Sequence, residues 1–178
     1  MDNKEFLVEL LARENLADEI KRESERLFLA VPELEAMVGF EHCHPHHHLD
    51  VWEHTLLALS LSKNQLTTRM ALLLHDIGKP SSYQEEGSVR HYKGHAERSA
   101  ELAQAILNRL RFEEDFVNEV IALIRHHDIP LSEEEIDKSP RLSREIFDVQ
   151  RCDALAHNPE YNQKRLAYIE KIEKIFIA

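Results

Sequence analysis

The 178-residue sequence has two cysteines, Cys43 and Cys152, and four glycines, and no apolar run long enough to span a membrane. Two cysteines exclude a disulfide framework. The opening MDNKEFLVEL lacks the basic flank and small-residue cleavage site of a secretory leader, so the expected location is the cytoplasm, with reduced thiols. Basic residues are outnumbered: 22 Lys and Arg against 33 Asp and Glu give a formal net charge of -11, which repels polyanions over most of the surface. Extended nucleic-acid binding is therefore not expected, nor is a membrane partner. A local basic pocket for one small phosphate compound stays open.

The scarcity of glycine and the absence of sustained two-residue alternation, against recurrent helical spacing, point to an all-α fold. With 43% hydrophobic residues the chain can bury a core without disulfide or metal staples, and residues 1–178 read as one domain. Helices are predicted near 3–14, 17–30, 50–63, 66–76, 95–110, 114–127, 141–157 and 160–176. The polar stretch SSYQEEGSVRHYKG is either a loop or a short hairpin over a pocket. The C-terminal YNQKRLAYIEKIEKIFIA is amphipathic, and either closes the core or pairs with a second copy of the chain.

What the sequence does hold is polar residues where apolar ones belong. TTRMALLLHDIGKP starts at Thr67 or Thr68, runs apolar on nearly all sides, and carries Gly78 and Pro80 as stop signals. A helix apolar all round is buried, which puts His75 and Asp76 inside or on a pocket wall. Burying an unpaired carboxylate is costly, and a bound cation removes that cost. In DVWEHTLLALSL, Asp50 and Glu53 have capping-box spacing. His54 then shares a face with Leu57, Ala58 and Leu61. In FVNEVIALIRHHDIP, His127 follows Val120 and Leu123 inward, while His126 is rotated by about 100° to the helix edge. Asp153 stands seven residues after Ile146 and four after Val149, in place of a core residue; His95 starts a helix after Gly94, seven residues before Leu102. Five helices each offer an inward histidine or aspartate near an end, a coincidence that points to a shared metal centre.

These residues resemble the HD superfamily of metal-dependent phosphohydrolases, whose signature of His, His-Asp and Asp falls on His54, His75 with Asp76, and Asp153. PHHHLDVWEHTLLAL, ALLLHDIGKP, HYKGHAERSAE, LIRHHD and CDALAHNP are similar to the HD portion of bacterial tRNA nucleotidyltransferases, over about residues 45–159. The nucleotidyltransferase head, with its glycine-rich turn and paired aspartates, has no counterpart in the first forty residues, so the expectation is a stand-alone HD protein that does not add CCA to tRNA. The resemblance implies a helical bundle with the metal site at its centre. It also extends to the two-metal branch, implying one ion held by His54, His75, Asp76 and Asp153, and a second reached by Asp76 and held by His95, His126 and His127. A single ion, with His95 and His127 acting on substrate, is the other arrangement.

Mixed imidazole and carboxylate donors suit Mn, Fe, Co, Ni or Zn better than Mg. Two such ions activate water and clamp phosphoryl oxygens, so the expected reaction is hydrolysis of a phosphomonoester or phosphodiester of a nucleotide or other small compound. Asp76 and Lys79 are the expected catalytic residues. Lys79, His47, Arg98 and Arg125 are candidates for substrate contacts, and Asp128 for orienting a ligand histidine. The spacing of HCHPHHH matches no closed zinc pattern. Cys152 is expected to pack rather than react, and Trp52 and Tyr92 either stack on a base or pack. Two rival readings use the same residues: a mixed-valent diiron oxygenase and a non-catalytic nucleotide sensor.

Overall fold

The computed structural model describes residues 1–177. Helices α1 (Asn3–Leu11), α2 (Leu16–Arg22), α3 (Ser24–Ala30) and a 3-10 turn (Pro32–Met37) lead to α4 (Val51–Ser60) and α5 (Leu66–Leu74). A short α6 (Lys79–Ser82) precedes a hairpin of β1 (Gln84–Glu86) and β2 (Val89–His91). Then come α7 (His95–Arg109), α8 (Glu114–His126), α9 (Glu133–Lys138), α10 (Pro140–Ala156) and α11 (Gln163–Ile177). The architecture is all-α, with this hairpin as its one sheet among the described residues. No described helix is long and apolar enough to cross a membrane.

Helix α5 lies in the middle, touching α1, α4, α7, α8 and α10, which is why its sequence is apolar on every side. All residues from Thr68 to Leu74 are buried, Arg69 among them. Its guanidinium donates to the carbonyls of Leu11 (2.6 Å) and Arg13 (3.0 Å), to Asn64 Oδ1 and to Ser62 Oγ. It thereby serves carbonyls that the end of α1 leaves unpaired. Replacing Arg69 with Met should strand those carbonyls and cost about 2–3 kcal/mol. A lower urea midpoint at unchanged slope would report it. A midpoint equal to wild type would show that the buried cation contributes nothing net.

Three local differences from the sequence reading have physical causes. The helix expected over 17–30 breaks at Glu23, whose φ of -97° and ψ of 13° separate α2 from α3. The capping box of α4 is half made: Asp50 Oδ1 accepts the Glu53 N–H at 2.7 Å, but the Glu53 carboxylate turns away to Lys21 Nζ at 3.0 Å. Gly78 has an ordinary right-handed φ of -81°, so it does not stop α5 by a left-handed turn. It is needed because a Cβ there would lie 2.6 Å from the Ser99 amide nitrogen and 2.9 Å from the His95 carbonyl oxygen. The turn after α5 thus touches the first turns of α7 backbone to backbone.

The polar stretch is a hairpin, turned at Gly87 with φ of 65°. It is pinned to the histidine-rich segment: the Arg90 N–H donates to Cys43 O, Arg90 Nη1 to Glu41 O, and the Tyr92 hydroxyl to His42 O at 2.7 Å. Trp52 is buried with its ring 5.4 Å from that of Phe28, so it belongs to the core between α3 and α4. Cys152 is buried, and burial pushes its thiol up to about 11, which fits packing rather than reactivity. Helix α11 closes the core through Ile169 and Ile172, with Phe176 against Phe147.

Candidate metal centre

Five chain segments deliver side chains to one point beside α5. His54 comes from the first turns of α4, His75 and Asp76 from the turn that ends α5, and His95 from the first residue of α7. His127 caps α8 and Asp153 lies near the end of α10. All but His95 are fully or nearly fully buried. The Asp76 carboxylate divides the cluster. Its Oδ2 lies 3.3 Å from His75 Nε2 and 3.7 Å from His54 Nε2; Asp153 Oδ1 joins that side at 2.9 Å from His54 Nε2. Its Oδ1 faces the other side, 3.4 Å from His95 Nε2 and 3.8 Å from His127 Nε2.

The outer nitrogens of these rings fix their chemistry. Nδ1 of His54 meets Ala156 O (3.2 Å), His75 meets Leu72 O (2.7 Å), His95 meets Tyr92 O (2.8 Å) and His127 meets Ile124 O (2.7 Å). A carbonyl only accepts, so each Nδ1 carries a proton and each Nε2 turns inward, where on a neutral ring it presents a lone pair. Two of these, on His95 and His127, stand 3.1 Å apart, close enough that a proton or a metal ion must lie between them. His75 Nε2 and Asp76 Oδ1 are buried and have no hydrogen-bond partner. Inward lone pairs, two carboxylates and orphaned buried donor atoms fit a divalent metal, and oriented outer nitrogens are what metal-binding imidazoles need.

Electrostatics agrees. Burial alone would lower the His75 pKa, but the Asp76 and Asp153 carboxylates outweigh it and hold it up at about 10. Burial would raise Asp76, yet His75 and Lys79 hold it well below the carboxylate range. Positive charge is favoured on the Asp76 Oδ2 side. On the other side burial, reinforced by the His75 charge, pushes His127 down to about 4 and keeps it a neutral donor.

Not every expected residue arrives. His126 is turned aside: its Nδ1 bonds Ala122 O at 2.8 Å and its ring joins none of the clusters of ligand atoms, because one residue of helix rotates it away from His127. Arg98 is spent on Glu101 and Ser81, and Arg125 forms a two-pronged pair with Glu97; neither lines the cavity below. Asp128 faces the inner nitrogen of His95 at 3.6 Å, while the outer one is held by Tyr92, so it does not orient that ring in the way expected. Lys79 is buried, 2.7 Å from Asp76 Oδ2 and 3.1 Å from His42 Nε2. His47 stacks on His42 with centroids 3.7 Å apart, and burial followed by the Lys79 charge lowers its pKa.

Three residues were missed. His157 joins His54 and Asp153 in a third cluster of ligand atoms. Its spacing of four from Asp153 put it on the same helical face, a readable signal. His42 lies in an irregular segment with no periodicity to place it. Arg165, on α11, pairs with Asp153 Oδ2.

The cluster opens through His95, His127, Asp153 and Lys79 into a cavity of about 510 Å³. Its wall carries Arg90, Lys93, Lys164 and Arg165 besides Lys79, against the carboxylates of Asp128 and Asp153. On a chain of net charge -11, this is the local basic pocket that the composition left open.

The cluster and its helical setting agree with comparisons to known proteins. The family model described as HD domain matches residues 46–158. The CC-adding tRNA nucleotidyltransferase of Thermus thermophilus is 40% identical over 111 residues, which cover 58% of this chain and 25% of the relative. The A-adding tRNA nucleotidyltransferase of Deinococcus radiodurans is 30% identical over 147 residues, 74% of this chain and 34% of its own length. The multifunctional CCA protein of an Azoarcus species is 29% identical over 140 residues, 76% and 32% respectively. The alignments thus span only a quarter to a third of these relatives. Family match, helical fold and the His-Asp cluster at its centre converge: the chain belongs to the HD domain family.

Proposed function

We propose that this protein is a metal-dependent hydrolase of small phosphoesters, with nucleotides as its substrate class. The observation that carries the reading is the pair of orphaned buried atoms, His75 Nε2 and Asp76 Oδ1, on opposite sides of one carboxylate beside a cation-rimmed cavity. His54, His75, Asp76 and Asp153 would hold one divalent ion, and Asp76, His95 and His127 a second. Bound there, transition-metal ions such as Mn, Fe, Co, Ni or Zn would supply Lewis acidity and lower the pKa of water.

The protein's own groups do the rest. The basic wall gathers a phosphate anion out of a surface that is otherwise repulsive to it. Lys79 is held by Asp76 and His42, with its Nζ 5.5 Å from the centre of the Tyr92 ring, and its ammonium neutralises a phosphoryl oxygen as charge builds there. Similarity to proteins named for tRNA nucleotide addition supports a nucleotide over other phosphoesters.

Phosphate release from cyclic nucleotides, linear nucleotides and small phosphomonoesters, with Mn, Co, Ni or Mg, tests this directly. Turnover with a transition metal, abolished by chelation and restored by adding the metal back, is expected. No turnover of any phosphoester in any metal would overturn the proposal.

A further inference from the structure

The cations on the cavity wall are not equivalent. Lys79 is engaged with Asp76 and His42; Arg90 is engaged with Glu85 and with Glu41 O. Lys93 and Lys164 are exposed, and their long chains are free to move. Arg165 differs from all four. Its Nη2 is fixed by Asp153 Oδ2 and lies 3.4 Å from His127 O, while its Nε and Nη1 make no hydrogen bond to any described residue. Its side chain is 31% exposed and lines both the main cavity and an adjoining hollow of about 260 Å³, bounded by Pro130, Gln150 and Tyr168. A guanidinium has five N–H donors in a rigid plane. Anchoring one nitrogen to the protein therefore aims the others.

The anchor is itself informative. Asp153 offers Oδ1 to His54 and Oδ2 to Arg165, so a single buried carboxylate ties this guanidinium to the metal centre. Arg165 also lies beyond the residues that the HD family model matches, on α11. We propose that Arg165 is a phosphate-binding residue of this site, alongside Lys79: a pre-positioned guanidinium that donates from Nε and Nη1 to oxygens of the substrate's phosphate. The inference rests on the phosphoester reading above for its substrate, but not on turnover. It makes the fork, and not charge alone, the feature that is recognised.

Inorganic phosphate is the minimal probe. Its affinity for the Mn-loaded full chain, measured by calorimetry together with the Mn content, separates the possibilities. Arg165→Ala should keep its Mn and bind phosphate at least about tenfold more weakly, and Arg165→Lys should recover only part of that loss. Lys171→Ala, removing an exposed point charge on the same helix but outside the cavity lining, should change the affinity by less than about threefold. Unchanged phosphate affinity in Mn-loaded Arg165→Ala would overturn the proposal. So would loss of Mn from both Arg165 variants, which would make Arg165 a support for Asp153 alone. If wild type binds phosphate through Arg165 yet hydrolyses no phosphoester, the hydrolase reading fails and this assignment stands.

Discussion

Asp76→Asn should leave the chain folded, empty both metal positions, and lower kcat/KM for a phosphoester by about a thousandfold or more. The size of the effect follows from geometry. One carboxylate serves both sides, with Oδ2 toward His54, His75 and Lys79 and Oδ1 toward His95 and His127. The amide keeps the volume but loses the charge, and it can offer an oxygen to one side only. Asp76→Ala should be worse for the fold, because it removes not only the charge but also the oxygen to which the buried Lys79 ammonium donates, which the amide keeps; breaking such a pair costs about 3–5 kcal/mol. Metal analysis of dialysed Asp76→Asn, alongside circular dichroism, reads both effects. Full metal content and near-normal turnover in that variant would sink the bridging role.

Gly78→Ala is expected to act from outside the ligand set. The added methyl would stand 2.6 Å from the Ser99 nitrogen and 2.9 Å from both His95 O and Ser99 Oγ, contacts too close to survive without moving α7. It also threatens the buried bond from the Gly78 N–H to Ser99 Oγ at 2.9 Å. Overpacking of this kind costs about 1–3 kcal/mol. Because α7 begins with His95, its displacement should loosen the His95 and His127 side while His54, His75 and Asp153 keep theirs. A lower urea midpoint and weaker binding of one metal equivalent are the expected pair of results. Wild-type stability with both equivalents intact would show that α7 yields without consequence.

How much of this was legible depended on whether a residue's neighbours lie on its own helix. His54, His75, Asp76 and Asp153 could be placed because helical phase sets their direction, and the all-round apolar α5 could be recognised as central for the same reason. Phase also told the adjacent His126 and His127 apart, His127 inward and His126 at the helix edge; only the family resemblance counted His126 among the ligands. Phase failed where a role arises between elements. Gly78 reads as a helix stop, but its small size serves the approach of α7, a contact no local pattern records. His42 sits in an irregular loop, held by Leu49 O and stacked on His47. Arg165 carries the surface spacing of an ordinary amphipathic helix, and its link to Asp153 exists only once α11 folds over α10.

The central claim is that Asp76 joins two metal positions in one buried cluster. Manganese titration of the chelator-stripped full chain, followed by electron paramagnetic resonance of the loaded protein, tests it most directly. Two tightly held ions per chain with the spectrum of a spin-coupled pair are expected, and that bound signal should be lost in Asp76→Asn. One magnetically isolated ion per chain at saturation would contradict it.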